Sequence, residues 1–178
     1  GLHLEVTLPQ DKEFWAGTFE SEFAAALARG VRPGDICYDI GGHRGYMTGV
    51  MALAGASRVM VFEPLPDNIV ALQRLAQLNP GLAFHVEPAA VGRSNGQAQF
   101  KVMSDQSMGK LAASPFQAGA TATRELIVQV RQLDSMVFEL KFPAPNLIKI
   151  DVEGAEMDVL GGAMRTLESF RPSLFIEA

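Results

Sequence analysis

The segment Asp39-Ile40-Gly41-Gly42-His43-Arg44-Gly45 places an acid two residues before a glycine and another glycine four residues beyond it. An apolar run precedes it and a helix-like pattern follows it, so it reads as a turn from strand to helix. Glycines in such a turn let the backbone approach a ligand, and the helix N-terminus offers N–H donors to an anionic group. Glu63 ends the next apolar run, 18 residues after Gly45. A carboxylate there can accept two hydrogen bonds from a ribose diol. The dinucleotide fingerprint Gly-x-Gly-x-x-Gly fails, because His43 and Tyr46 stand where its second and third glycines belong. The Asp39, Gly41, Gly45 spacing suits S-adenosylmethionine instead, which has no pyrophosphate and tolerates fewer glycines. A tight turn with no ligand would also use glycines, and Glu63 ahead of Pro64 could equally cap a turn.

Lys149-Ile150-Asp151-Val152-Glu153-Gly154 is the second chemical segment. Strand alternation puts Ile148 and Ile150 on one face and Lys149 with Asp151 on the other. A lysine in a strand covered on both sides is costly unless paired. Asp151 is on its side, and Asp39 would be close if the two strands are neighbours. Lys149 is therefore expected to anchor an ion-pair network beneath a cofactor, with Asp151 and Glu153 at the mouth of the sheet. The alternative is that both acids only open the next helix, where negative charge stabilises by about 0.3–1 kcal/mol. Of the histidines, His43 is the one placed for chemistry, and His85 alternates within a strand. No P-loop, nucleophile elbow, zinc-protease helix or Cys pair is present, and no metal ligands are expected.

These residues need a frame. Strands are expected at 36–40, 59–63, 82–86, 147–151 and 173–176, and helices at 11–30, 46–53, 67–78 and 153–170. The all-apolar strands suit a parallel sheet with helices on both faces. Segments 97–102 and 126–130 alternate as half-open strands, an antiparallel insertion after the third strand. The whole chain reads as one domain, with a helical cover over 1–34 and a cofactor-binding core over 35–178. The opening on Gly1 and the close within a strand suggest a piece of a longer protein, with its C-terminal strands missing.

Composition excludes other classes. The 178 residues are 48% hydrophobic and 20% charged, which excludes a disordered chain. Lys and Arg number 15 against 20 Asp and Glu, a net charge of −5, which argues against a nucleic-acid surface. One cysteine, Cys37, leaves no internal disulfide and points to a reducing, cytoplasmic setting. No apolar run reaches the roughly 20 residues of a membrane span.

The ordered set now resembles a known family. Asp39-Ile40-Gly41-x-x-x-Gly45-Tyr46, Phe62-Glu63-Pro64, Ala89-Ala90-Val91-Gly92, Leu133-Asp134-Ser135 and the block from Ile148 through Glu156 to Val159-Leu160-x-Gly162-Ala163 resemble FkbM-family S-adenosylmethionine-dependent methyltransferases. The resemblance covers roughly residues 35 to 178 and departs at Gly42-His43-Arg44, where the family more often has Ala-Asn and an apolar residue. It implies the class I methyltransferase fold, Rossmann-like, and O-methylation of a sugar or natural-product hydroxyl. The cofactor would be held by Asp39, Gly41, Gly42, Gly45, Glu63 and Pro64, with Ala89 and Ala90 flanking adenine and Asp151 at its methionine end. Asp151, then Glu153, is the expected base or acceptor-orienting residue. Phe14, Trp15 and Phe19, with the 104–120 loop, are the expected acceptor cover. The partner is a small-molecule or glycan acceptor. The rival readings are an inactive cofactor-binding module and an NAD-dependent oxidoreductase.

Overall fold

The computed structural model describes residues 1–6, 12–103, 109–111 and 122–177. Two short helices, α1 (Lys12–Ala16) and α2 (Ser21–Gly30), precede β1 (Ile36–Ile40). Then α3 (Tyr46–Leu53) leads to β2 (Arg58–Phe62), and α4 (Pro66–Leu78) leads to β3 (Phe84–Glu87). Four strands follow: β4 (Ala90–Val91), β5 (Gly96–Met103), β6 (Gly109–Leu111) and β7 (Ala122–Arg131). The chain closes through α5 (Leu133–Phe138), β8 (Leu147–Ile150), α6 (Glu156–Gly161), α7 (Met164–Phe170) and β9 (Ser173–Ile176).

The central sheet has the order β3-β2-β1-β8-β9, and every pairing in it is parallel. From β1 the chain steps outward to β2 and β3, then returns to the other flank of β1 as β8. The strand order therefore reverses between β1 and β8, and α/β folds bind ligands in the crevice above such a point. Side-chain alternation divides the core into two layers. Cys37, Val59, Val61 and Leu147 face one way and share a cluster with Leu27, Met47, Met51, Leu72 and Leu75 of α2, α3 and α4. Tyr38, Ile40, Met60, Phe62, Ile148 and Ile150 face the other, with Leu133, Met136 and Val137 of α5 and Val159 of α6. This is the Rossmann-like α/β fold, helices on both faces of a parallel sheet.

The insertion is a second sheet, ordered β4-β7-β5-β6, in which β5 runs antiparallel to both its neighbours. Local chemistry sets the element ends. Pro66 opens α4, where its missing N–H costs nothing. Asn79 closes it, its Nδ2 donating to the Leu75 carbonyl at 2.8 Å.

Four expectations change. The helix expected over 11–30 is two, separated by a turn with Gly17 at φ 67°. The helix expected over 153–170 begins later and breaks at Gly162, where a Cβ would lie 2.0 Å from the Gly92 carbonyl. Its inner face, which the sequence spacing places on Leu160, Ala163, Met164, Leu167 and Phe170, also differs: Met164 and Phe170 are 52% and 41% exposed, while Val159, Ala163 and Thr166 are buried. Finally, α5 was not anticipated. Its Asp134 caps α7, with Oδ2 accepting from the Arg165 N–H at 3.0 Å and Oδ1 from the Thr166 N–H at 2.8 Å.

Candidate functional site

The glycine turn is tied down at both ends. The Gly41 and Gly42 N–H groups both donate to the Phe62 carbonyl, at 3.0 and 3.2 Å, and Gly45 N–H donates back to the Gly42 carbonyl at 2.8 Å. Gly41 has φ 81°, and a Cβ on it would sit 1.8 Å from the Asp151 backbone oxygen. A Cβ on Gly42 would sit 2.2 Å from Val61 Cγ1, and one on Gly45 2.5 Å from Leu75 Cδ2. Close packing thus favours glycine at 41 and 42, and a left-handed φ of 90° favours it at 45. The turn delivers α3 with its first N–H groups at the carboxyl end of the sheet, where no intrahelical acceptor exists for them.

Glu63 stands just past β2 and is 4% exposed. Its Oε2 accepts from the His43 N–H and its Oε1 from the Leu65 N–H, each at 2.8 Å. The carboxylate therefore staples the glycine turn to the entry of α4. Burial pushes its pKa up to about 7, against the pull of the Leu65 and His43 N–H groups, Asn68 and Lys149. With Asn68 as a third hydrogen-bonding partner, about one of the carboxylate's four acceptor positions is left for a further donor. The register Phe62 opposite Glu87 sets the ends of β2 and β3 side by side. Glu63 and Pro64 on one strand end thus neighbour Ala89 and Ala90 past the other, with Ala89 fully buried.

The network expected around Lys149 is present. The β1–β8 register sets Asp39 opposite Lys149. The lysine Nζ lies 3.2 Å from Asp39 Oδ1 and 3.2 Å from Asp151 Oδ2, and donates to the Gly41 carbonyl at 2.9 Å. Burial opposes the ammonium, but Asp39 and Asp151 outweigh it and raise the lysine pKa. Asp39 is fully buried, and its Oδ2 also accepts from Thr48 Oγ1 at 2.6 Å. It is sealed beneath the turn, whereas the Asp151 side chain is 32% exposed at the mouth.

Two residues join the site that sequence reasoning passed over. Glu177 follows β9 as Asp151 follows β8, and its N–H donates to the Ile150 carbonyl at 3.0 Å. Glu20 precedes α2 with φ 42°, and its side chain meets that of Glu177. The signal for Glu177 was its place one residue beyond the final strand; Glu20 had none. Glu153 lies beside them with φ 52°. Burial first, then the neighbouring carboxylates Asp151, Glu177 and Glu156, raise its pKa. His85, by contrast, lies on β3 with its ring edge-on to Phe142 at 5.5 Å.

Of the expected acceptor cover, Phe14 and Phe19 pack together at 4.6 Å between ring centroids, and lie 5.5 and 5.7 Å from Tyr46 at the start of α3. The Phe14 ring also lies 6.4 Å from His43 in the glycine turn. Residues 104–108 and 112–120 of that cover, and the Trp15 side chain, lie outside the described residues. Among the described residues no helix is long and apolar enough to cross a membrane.

Comparison with known proteins follows the same lines. The chain is 26% identical to the hexuronic acid methyltransferase AglP of Haloferax volcanii, over 84% of this chain and 59% of that protein. It is 29% identical to Methyltransferase 1 of Beauveria bassiana, over 72% of this chain and 63% of that protein. It thus spans less than two thirds of the length of either relative. Among solved structures it shares the fold of methyltransferase FkbM from Methylobacillus flagellatus KT, with TM-score 0.57 and 18% identity over 93% of this chain and 50% of that one. The model of the methyltransferase FkbM domain matches residues 39–178, and the chain belongs to that family.

Proposed function

We propose that this protein transfers a methyl group from S-adenosylmethionine to a hydroxyl of a sugar or a natural product. The observation that carries the reading is the meeting of two motifs 108 residues apart, where Lys149 Nζ holds the Gly41 carbonyl at the reversal point of the sheet. The donor set fits this cofactor. Glu63 retains one acceptor position for a ribose hydroxyl, and Pro64, Ala89 and Ala90 line the neighbouring strand ends for adenine. Gly41, Gly42 and Gly45 form the turn it would lie against, with Asp39 acting from beneath through Lys149. Asp151, Glu153 and Glu177 give the mouth a negative potential, which favours a cationic donor and disfavours a pyrophosphate.

When bound, S-adenosylmethionine supplies an electrophilic methyl on a sulfonium. The chain's residues then have two roles to fill. One is to hold the acceptor oxygen in line, at about 3–3.5 Å from the carbon it attacks. The other is to take the hydroxyl proton as the bond forms. The proton falls to Asp151, which is held by Lys149 on one oxygen and open to the mouth. Glu153, raised in pKa, is the alternative proton acceptor. A relative methylates a hexuronic acid, which favours a carbohydrate acceptor. A cytoplasmic location is part of the same reading.

Two measurements test it. Calorimetric titration with S-adenosylmethionine and, separately, NAD should show binding of the first alone; the reverse result overturns the cofactor assignment. Asp151→Asn keeps shape and leaves Lys149 its Asp39 partner, so stability and cofactor affinity should change little. Turnover on a panel of hydroxylated glycans should fall by about 10²–10⁴, the range of a lost general base. Unchanged turnover removes Asp151 from the mechanism.

A further inference from the structure

Glu20 and Glu177 come from opposite ends of the described chain and bring two carboxyl groups into hydrogen-bond contact. An ionised carboxylate only accepts hydrogen bonds. Two of them can meet this way only if one carries a proton. The surroundings select Glu20 as the carrier. Its Oε2 is buried and meets no conventional donor among the described residues, a costly position for an ionised oxygen. Glu177 remains exposed to water. Glu20 also occupies the hinge of the N-terminal segment. It sits at φ 42° between the turn that carries Phe19 and the first residue of α2. On the far side of that hinge, Phe14 and Phe19 rest on Tyr46 and His43 of the glycine turn and α3. The segment is therefore fastened over the site at two points, one aromatic and one made of two acids.

We propose that the Glu20–Glu177 pair shares one proton and, while it does, latches residues 12–20 over the mouth of the sheet; loss of the proton releases them. The latch is independent of the methyl-transfer reading. The charges facing the pair come from β8 and its exit, where Asp151 adds repulsion and Lys149 opposes it. Glu153 lies beside Asp151 and Glu177, and His43 faces Phe14 at the other fastening. Lys149 is already shared between Asp39 and Asp151, so it cannot neutralise a second charge at the pair. Burial, then Glu177 and Asp151, push the Glu20 pKa up to about 7, which sets the release in the neutral range.

Trp15, the one tryptophan, lies on α1 and reports on this segment. Its emission should be titrated between pH 5 and 9. Amide hydrogen exchange of residues 12–20, corrected for intrinsic rates, should be compared at pH 6 and 8. Protection should fall about tenfold or more from pH 6 to 8, with an emission midpoint near 7. Glu20→Gln donates an amide N–H to Glu177 at every pH and should hold the protected state throughout. Glu177→Gln also removes one titrating carboxyl and should abolish the transition. Glu177→Ala should leave the segment unprotected at both pH values. A wild-type transition that persists in Glu20→Gln and Glu177→Gln would assign it to a histidine or to Glu63, and no transition in the wild type would mean no latch; either result overturns the proposal.

Discussion

Lys149 is the residue on which the site's geometry turns, because it is the only positive charge set between Asp39, Asp151 and the Gly41 carbonyl among the described residues. Lys149→Met would leave the fully buried Asp39 carboxylate without its counter-charge. Breaking one side of a buried pair costs about 3–5 kcal/mol, and urea denaturation should show a loss of that size. Pairing the change with Asp39→Asn should recover much of it, since the amide needs no counter-charge. This network was legible in the sequence, because a lysine inside an apolar strand has few tolerable fates and an acid two residues on shares its face. Glu63 was legible in place but not in attachment. The turn-capping alternative anticipates its hold on the Leu65 N–H, but nothing in the sequence shows that its other oxygen holds the His43 N–H. Its truncation would therefore loosen the turn as well as remove a ligand contact. The Glu20–Glu177 contact was not legible at all, since it depends on how the start of α2 meets the end of β9.

Among the elements, the central strands were readable and the late helices were not. Short apolar runs bounded by turn residues suit covered strands, and β1, β2 and β8 emerge within a residue or two of their expected ends; β9 does too, but as an edge strand with Leu174 and Ile176 exposed. The α6–α7 break hides because 153–170 keeps an apolar pattern through it. What stops the helix is tertiary: Gly162 lies against the Gly92 carbonyl, and the Asp134 N–H donates to the Gly162 carbonyl at 3.0 Å. Three of the family's sequence blocks thus meet in a structural joint rather than at the mouth. Asp134→Ala would remove three acceptor contacts, to the Arg165 N–H, the Thr166 N–H and the Thr166 hydroxyl. Loss of a helix cap costs about 0.5–2 kcal/mol. Thermal unfolding should shift downward accordingly, while calorimetric affinity for S-adenosylmethionine stays near the wild-type value.

At the scale of the whole molecule, stability carries a pH signature. Glu20 and Glu63 both rise from 4.5 to about 7 on folding. Between those values the folded chain binds more protons than the unfolded one, so stability falls as pH rises through this window. Glu63 alone, being almost fully buried, accounts for a change of about 3 kcal/mol. The ligand-free protein should therefore resist urea better at pH 5 than at pH 7.5, and a rise in stability over that interval would contradict the burial of Glu63. The strand order has a further consequence, for the growing chain. β1 is the middle of the sheet, yet its second flank is supplied by β8, and Asp39 waits for a lysine 110 positions later in the chain. Until that lysine is made, the first strand has an open edge and a carboxylate that cannot be buried. Synthesis of the 148 residues before it thus yields a half-sheet that must be kept from pairing with its neighbours. A chain stopped after Pro145 should show no cooperative unfolding transition, and should bind nascent-chain chaperones that release it once β8 has been added.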